Sequence, residues 1–146
     1  MRIDAELSFV VAPLENSRES PNAMVPAING SPLADLIAAF ERDRDFDPAG
    51  TYAGLVPQHF NFGLLERYFM GEVEAESYWD RLGGIYVLGC ECGEVGCWPL
   101  FCRVSVNGNS VIWNQFAQPH RPERDYSDFG PFAFKLEQYR RALSTL

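Results

Sequence analysis

The sequence contains no P-loop, no GxGxxG, no GxSxG and no HExxH. Those patterns cradle phosphates, expose a nucleophilic serine on a strained turn, or set two histidines on one metal. Without them, the common nucleotide, dinucleotide, serine-hydrolase and zinc-protease chemistries have no carrier. Histidine is scarce, with only His59 and His120. His59, in "PQHFNFG", reads as a packed or surface residue. No apolar run approaches the roughly 20 residues needed to cross a bilayer. "MRIDAELSFVVAP" places Asp4 and Glu6 where a secretory leader needs an apolar stretch. A cytoplasmic location is expected, where thiols stay reduced. Internal repeats, low-complexity tracts and composition shifts are absent, so one domain over 1–146 is expected.

Positive charge is also in short supply. Twelve Lys and Arg face twenty Asp and Glu, for a net charge of -8. Such a surface repels phosphate backbones and anionic lipid heads. The expectation is no nucleic acid, no membrane, and a basic protein as the natural partner. Arg121 with Arg124, and Arg140 with Arg141, are the only basic clusters, and both read as solvated surface. Disorder is excluded by composition, since 47% of residues are hydrophobic and 14% aromatic.

Periodicity assigns most elements. Ile3, Ala5, Leu7 and Phe9 alternate with polar residues, which predicts a half-buried strand ending at Pro13. In "NGSPLADLIAAFERD", Ser31 suits an N-cap and Pro32 the first helical position. Leu33, Leu36, Ile37 and Phe40 then share one face. Residues 62–71 suggest a short helix, and 84–90 a buried strand. Asn107-Gly108 marks a hairpin. Its register is expected to set Val106 opposite Asn109, Val104 opposite Val111 and Cys102 opposite Trp113. The tail over 132–146 has helical spacing. Asp43, Asp45 and Asp47 imitate a calcium loop, but Pro48 and Gly54 stand where it needs glycine and glutamate. The resulting fold class is α+β: an antiparallel sheet of the N-terminal strand, the 84–90 strand and a C-terminal β-hairpin, with two or three helices on one face.

All four cysteines fall within "GCECGEVGCWPLFCRV". Cys102 is expected mid-strand as a small core residue. Cys90, Cys92 and Cys97 flank "GEVG", where glycines let backbone amides turn towards sulfur, as in short zinc knuckles. The hairpin register, extended, places His120 opposite Val95 and near this bend. Cys90, Cys92, Cys97 and His120 are therefore the candidate zinc ligands. Reduced structural thiols and redox chemistry stand as alternatives. A redox role needs a lowered thiol pKa, and Glu91 and Glu94 are expected to raise it.

At "GCECGEVGCWPL", "FAQPHR" and "FGPFAF" the chain resembles an uncharacterised bacterial protein family. That family combines a Cys-Gly-x-x-Gly-Cys-x-Pro-Leu stretch with a downstream Gln-Pro-His-Arg segment. The resemblance implies a bacterial origin and a shared fold, and no particular activity.

The expected function is a non-enzymatic, acidic interaction protein with a structural Cys-rich turn, in the manner of an inhibitor or immunity protein. Glu72, Glu74 and Glu76 are the candidate partner contacts, with Trp98, Phe101 and Trp113 expected in the core. The alternative is a zinc- or thiol-dependent enzyme acting on a small molecule.

Overall fold

In the computed structural model, which describes residues 5–13, 22–57, 61–72, 84–92 and 94–146, Asn29 and Gly30 take φ of 53° and 83°. Two positive φ values in succession make a tight hairpin turn, which Asn-Gly adopts at low cost. Here the turn joins β2 (Asn22–Ile28) to the two-residue β3 (Ser31–Pro32). The outer neighbour of β2 is β1 (Leu7–Pro13), and the three strands form one antiparallel sheet. Helix α1 (Leu33–Asp43) follows directly, one residue later than expected, because Ser31 and Pro32 are drawn into pairing with Ile28 and Ala27.

The second sheet has five antiparallel strands in sequence order. They are β4 (Tyr52–Ala53), β5 (Ile85–Cys90), β6 (Leu100–Asn107), β7 (Ser110–Ala117) and β8 (Phe132–Lys135). Helix α2 (Leu65–Phe69) precedes β5, and α3 (Leu136–Leu143) closes the chain. The expected single sheet is thus two. The N-terminal strand belongs to the smaller one, and 132–135 is strand rather than helix. Met24 and Leu55 exchange backbone bonds of 2.8 and 2.9 Å, and Ala5 donates to Ala133 at 3.2 Å, so the sheets are stitched together. No helix among the described residues is long and apolar enough to cross a membrane.

The hairpin also differs from expectation. Asn107 pairs with Ser110, Val106 with Val111 and Val104 with Trp113. Gly108 and Asn109 form the turn, with only Gly108 at positive φ, 60°. Glycine first suits a type II′ turn, so the Asn-Gly signal is real but displaced by one residue. Between Phe101 and Arg103 the register shifts again, and Gln115 sits there at φ 53°. Cys102 therefore lies at a bulge rather than opposite Trp113.

The core runs between the sheets and under α3. Ile85, Leu88, Leu100, Cys102, Trp113, Phe134 and Tyr139 are fully enclosed. Trp98 and Phe101 are buried as expected. Hydroxyls inside this core are bonded. Tyr68 Oη donates to the Tyr86 carbonyl at 2.6 Å and accepts from its N–H at 2.9 Å, filling the gap left where β5 slips register. Trp113 Nε1 donates to Tyr139 Oη at 3.0 Å, and that hydroxyl donates to the Phe69 carbonyl.

Candidate metal centre

Strand β5 is apolar and buried throughout, and it delivers Cys90 at its end. The chain then bends and returns through a 3₁₀ turn, Val95–Cys97, before entering β6. Gly89 permits this return, because a Cβ there would lie 3.1 Å from Val95 Cα. The result is that Cys90, Cys92 and Cys97 place their sulfurs within 4.8 Å of one another. All three are free thiols; Cys90 is buried, while Cys92 and Cys97 are exposed. This group could hold a metal ion. Thiolate ligands at about 2.3 Å from a tetrahedral zinc stand about 3.8 Å apart, so the three sulfurs need to close by about 1 Å at most. Cys102 is fully buried, and burial pushes its thiol far up, as suits a core residue.

Amides are aimed at the sulfurs. The Cys92 N–H donates to Cys90 Sγ at 3.4 Å. Burial nevertheless pushes the Cys90 thiol up to about 12. Partial burial acts on Cys92 in the same direction. The Glu94 backbone N–H and the thiols of Cys90 and Cys97 oppose it, and the net result is a Cys92 below the ordinary thiol value. The Glu94 charge does push it upwards, as expected, but the hydrogen bonds outweigh that charge, so the net elevation expected for a thiol beside these acids does not occur. In metal-free protein, iodoacetamide is expected to modify Cys92 first, with a pH midpoint below that of the same thiol in the denatured chain. Cys90 and Cys102 should stay unmodified through about pH 9, since both are held above the free-thiol range. A Cys92 that reacts no faster than the denatured chain would contradict this.

His120 stands at the rim of the bend, with Nε2 2.7 Å from the Gly96 carbonyl. A carbonyl only accepts, so Nε2 carries a proton, and in the neutral imidazole Nδ1 keeps the lone pair. Metal-ligating histidines commonly donate their second nitrogen to a carbonyl in this way. The three sulfurs form the close group; His120 lies outside it, and touches the bend at the Gly96 carbonyl.

Behind the bend lies a buried polar network that the sequence reading missed. Glu41 continues the α1 face of Leu33 and Ile37 and is 0% exposed. Its Oε1 accepts from the Gly50 N–H at 2.9 Å. Its Oε2 accepts from Tyr52 at 2.9 Å, Tyr126 at 2.6 Å and Arg124 at 3.1 Å. Arg124, expected on the surface, has a side chain only 5% exposed. It also donates to the Pro48 carbonyl at 2.9 Å and lies 5.6 Å from the Trp98 ring centre. Burial and the Glu41 charge push Tyr52 far up and Tyr126 up to about 12, so both remain protonated donors.

This network fixes the bend from both sides. Tyr52 pairs with Cys90 across β4 and β5. Trp98, next to Cys97, donates from Nε1 to the Gly50 carbonyl at 3.0 Å. Gln118 is fully buried; it donates to Tyr52 Oη at 3.1 Å and accepts from the His120 N–H at 3.1 Å. A continuous chain of bonds thus runs from Glu41 through Tyr52 and Gln118 to His120 and Gly96.

Of the candidate partner contacts, Glu72 is exposed, 3.5 Å from Arg67 Nε. Glu74 and Glu76 lie outside the described residues, as does His59. A groove of about 810 Å³ lies against α3, lined by Lys135, Leu136, Arg140 and Arg141 among others, with no cysteine in its wall. Its volume is large, but the thiol chemistry is elsewhere. Comparison with protein families, curated proteins and solved structures finds no match for this chain.

Proposed function

We propose that this chain is a non-enzymatic binding protein whose Cys90, Cys92 and Cys97 turn holds a structural zinc ion. The observation that carries the metal reading is the convergence of three sulfurs within 4.8 Å at a bend whose amides face them. Thiolate sulfur favours zinc over harder cations. His120, through Nδ1, is the proposed fourth ligand. Its Nε2–H bond to Gly96 supports that role, because it leaves Nδ1 free to bind. The test is metal content of protein purified without added metal, expected to be one zinc per chain. Cys92→Ser and Cys97→Ser should each lose it. Stoichiometric zinc retained in both variants would refute the assignment.

The proposed partner is a basic protein, met by the net charge of -8 and by exposed acids such as Glu72. Opposite net charge speeds such encounters and makes them sensitive to salt. Immobilised chain should capture basic products of neighbouring genes at low salt and release them progressively as salt rises. Capture of none of them would count against an inhibitor or immunity role. A second reading, a thiol- or zinc-dependent enzyme, is favoured by one observation: Cys92 is exposed and below the ordinary thiol range. Loss of all Cys92 alkylation on zinc loading would favour the structural site over a free nucleophile.

A further inference from the structure

Among the described residues, strand β1 is an edge, with β2 as its only neighbour in the sheet. The Leu7 N–H donates to Gln138 Oε1 at 2.9 Å, and the Leu7 carbonyl accepts from Gln138 Nε2 at 2.7 Å. The backbone groups of Leu7 therefore point away from β2. Alternation along the strand gives Phe9 and Val11 the same outward orientation. Their opposite residues on β2 agree. Phe9 faces Pro26, which has no N–H to offer. Val11 faces Met24, whose N–H and carbonyl are both engaged by Leu55 on the far side.

Phe9 and Val11 thus present two N–H and two C=O groups outward, with no hydrogen-bond partner among the described residues. The side chains there are apolar and open, Val10 at 47% and Val11 at 52% exposure. Native sheets usually blunt such edges with charge, proline or a covering element. Gln138 does this for Leu7. From Leu7 to Pro13 the strand has no charged residue.

We propose that β1 pairs with β1 of a second copy, antiparallel, about a twofold axis at Val10. Charge selects this occupant. A neutral strand offers nothing to a basic or acidic segment, and repulsion between two acidic copies is least along an edge without charge. Over residues 9–11 the register is self-complementary, and pairing stops short of Leu7, whose outward groups Gln138 holds. Phe9 of one copy stands opposite Val11 of the other, and each such pair exchanges two N–H···O bonds, giving four in all. Val10 meets Val10 as the close pair on the outer face. Two three-stranded sheets then become one of six strands.

A single strand pair covers less surface than a standard stable interface, so a weak dimer is expected, with Kd on the order of 10⁻⁵ to 10⁻⁴ M. The inference does not depend on zinc. Sedimentation velocity across a concentration series tests it. The wild-type chain should rise from 16.5 kDa towards twice that mass. Val11→Pro removes an N–H that bonds nothing within the monomer, so the fold should survive while dimerisation is lost. Val10→Lys, at an exposed position, sets two cations face to face and should also give a monomer. Wild-type protein that stays monomeric up to about ten times the upper Kd above overturns the proposal. So does a dimer that persists in both folded variants.

Discussion

Replacing Glu41 by alanine should lower folding stability by about 4 kcal/mol, the cost typical of breaking one side of a buried ion pair. That is a large part of the roughly 5–15 kcal/mol available to a domain. The effect has three sources. Arg124 would be left as a cation with a side chain only 5% exposed and no carboxylate. The Gly50 N–H would lose its acceptor. The Tyr52 and Tyr126 hydroxyls would lose theirs. Each unsatisfied buried group adds its own desolvation cost. Glu41→Gln keeps the shape and one acceptor oxygen, so it should cost less. Combining Glu41→Leu with Arg124→Met removes both charges and should be less damaging than the sum of the single changes. Urea denaturation of wild type, these variants, and the single changes Glu41→Leu and Arg124→Met measures this. An alanine variant within about 1 kcal/mol of wild type would show that the network contributes little.

Zinc should stabilise the folded chain by about 2.7 kcal/mol at free metal one hundred times its Kd, raising Tm by about 10 °C for a chain of this size. Cys92→Ser and Cys97→Ser should remove the gain. Metal binding requires thiolates, and Cys90, held at about 12, must release its proton to bind. The sign follows: the zinc-dependent gain shrinks as pH falls, because protons compete for sulfur. Calorimetry with and without a chelator, at pH 6 and pH 8, reads both effects. A Tm indifferent to zinc at both pH values would argue for plain packed thiols.

The parts of this fold that the sequence showed were those governed by local rules. The α1 stripe, the short α2 and the buried β5 all follow from periodicity. Strand β2 was hidden by Pro26, which argues against an inner strand. It is tolerated because β3 pairs only with Ala27 and Ile28, so no neighbour requires a donor at residue 26. Strand β8 was hidden by the helix that follows it without a break. The sheet assignment of β1 depends on the Asn29-Gly30 turn, a signal present in the sequence but read there as a helix approach.

The candidate site was legible in its sulfurs and not in its support. Spacing brought Cys90, Cys92 and Cys97 together on paper, and the bend does so in space. His120 reached the bend by another route than the one expected. The turn is displaced by a residue and Gln115 adds a bulge, yet Gln118 holds the His120 backbone N–H and the Gly96 carbonyl holds its ring. Glu41 left a readable trace, one turn beyond Ile37 on an otherwise apolar stripe. Its partner Arg124 lies 83 residues away and left none.

Trp98 has a consequence of its own. Its indole is bonded to Gly50, has the Arg121 and Arg124 guanidinium groups 5.1 and 5.6 Å from its ring, and is the next residue after Cys97. Indole emission responds to nearby charge and to the loss of a hydrogen bond. With Trp79 and Trp113 replaced, Trp98 becomes an optical gauge of the sulfur bend, readable without any attached dye.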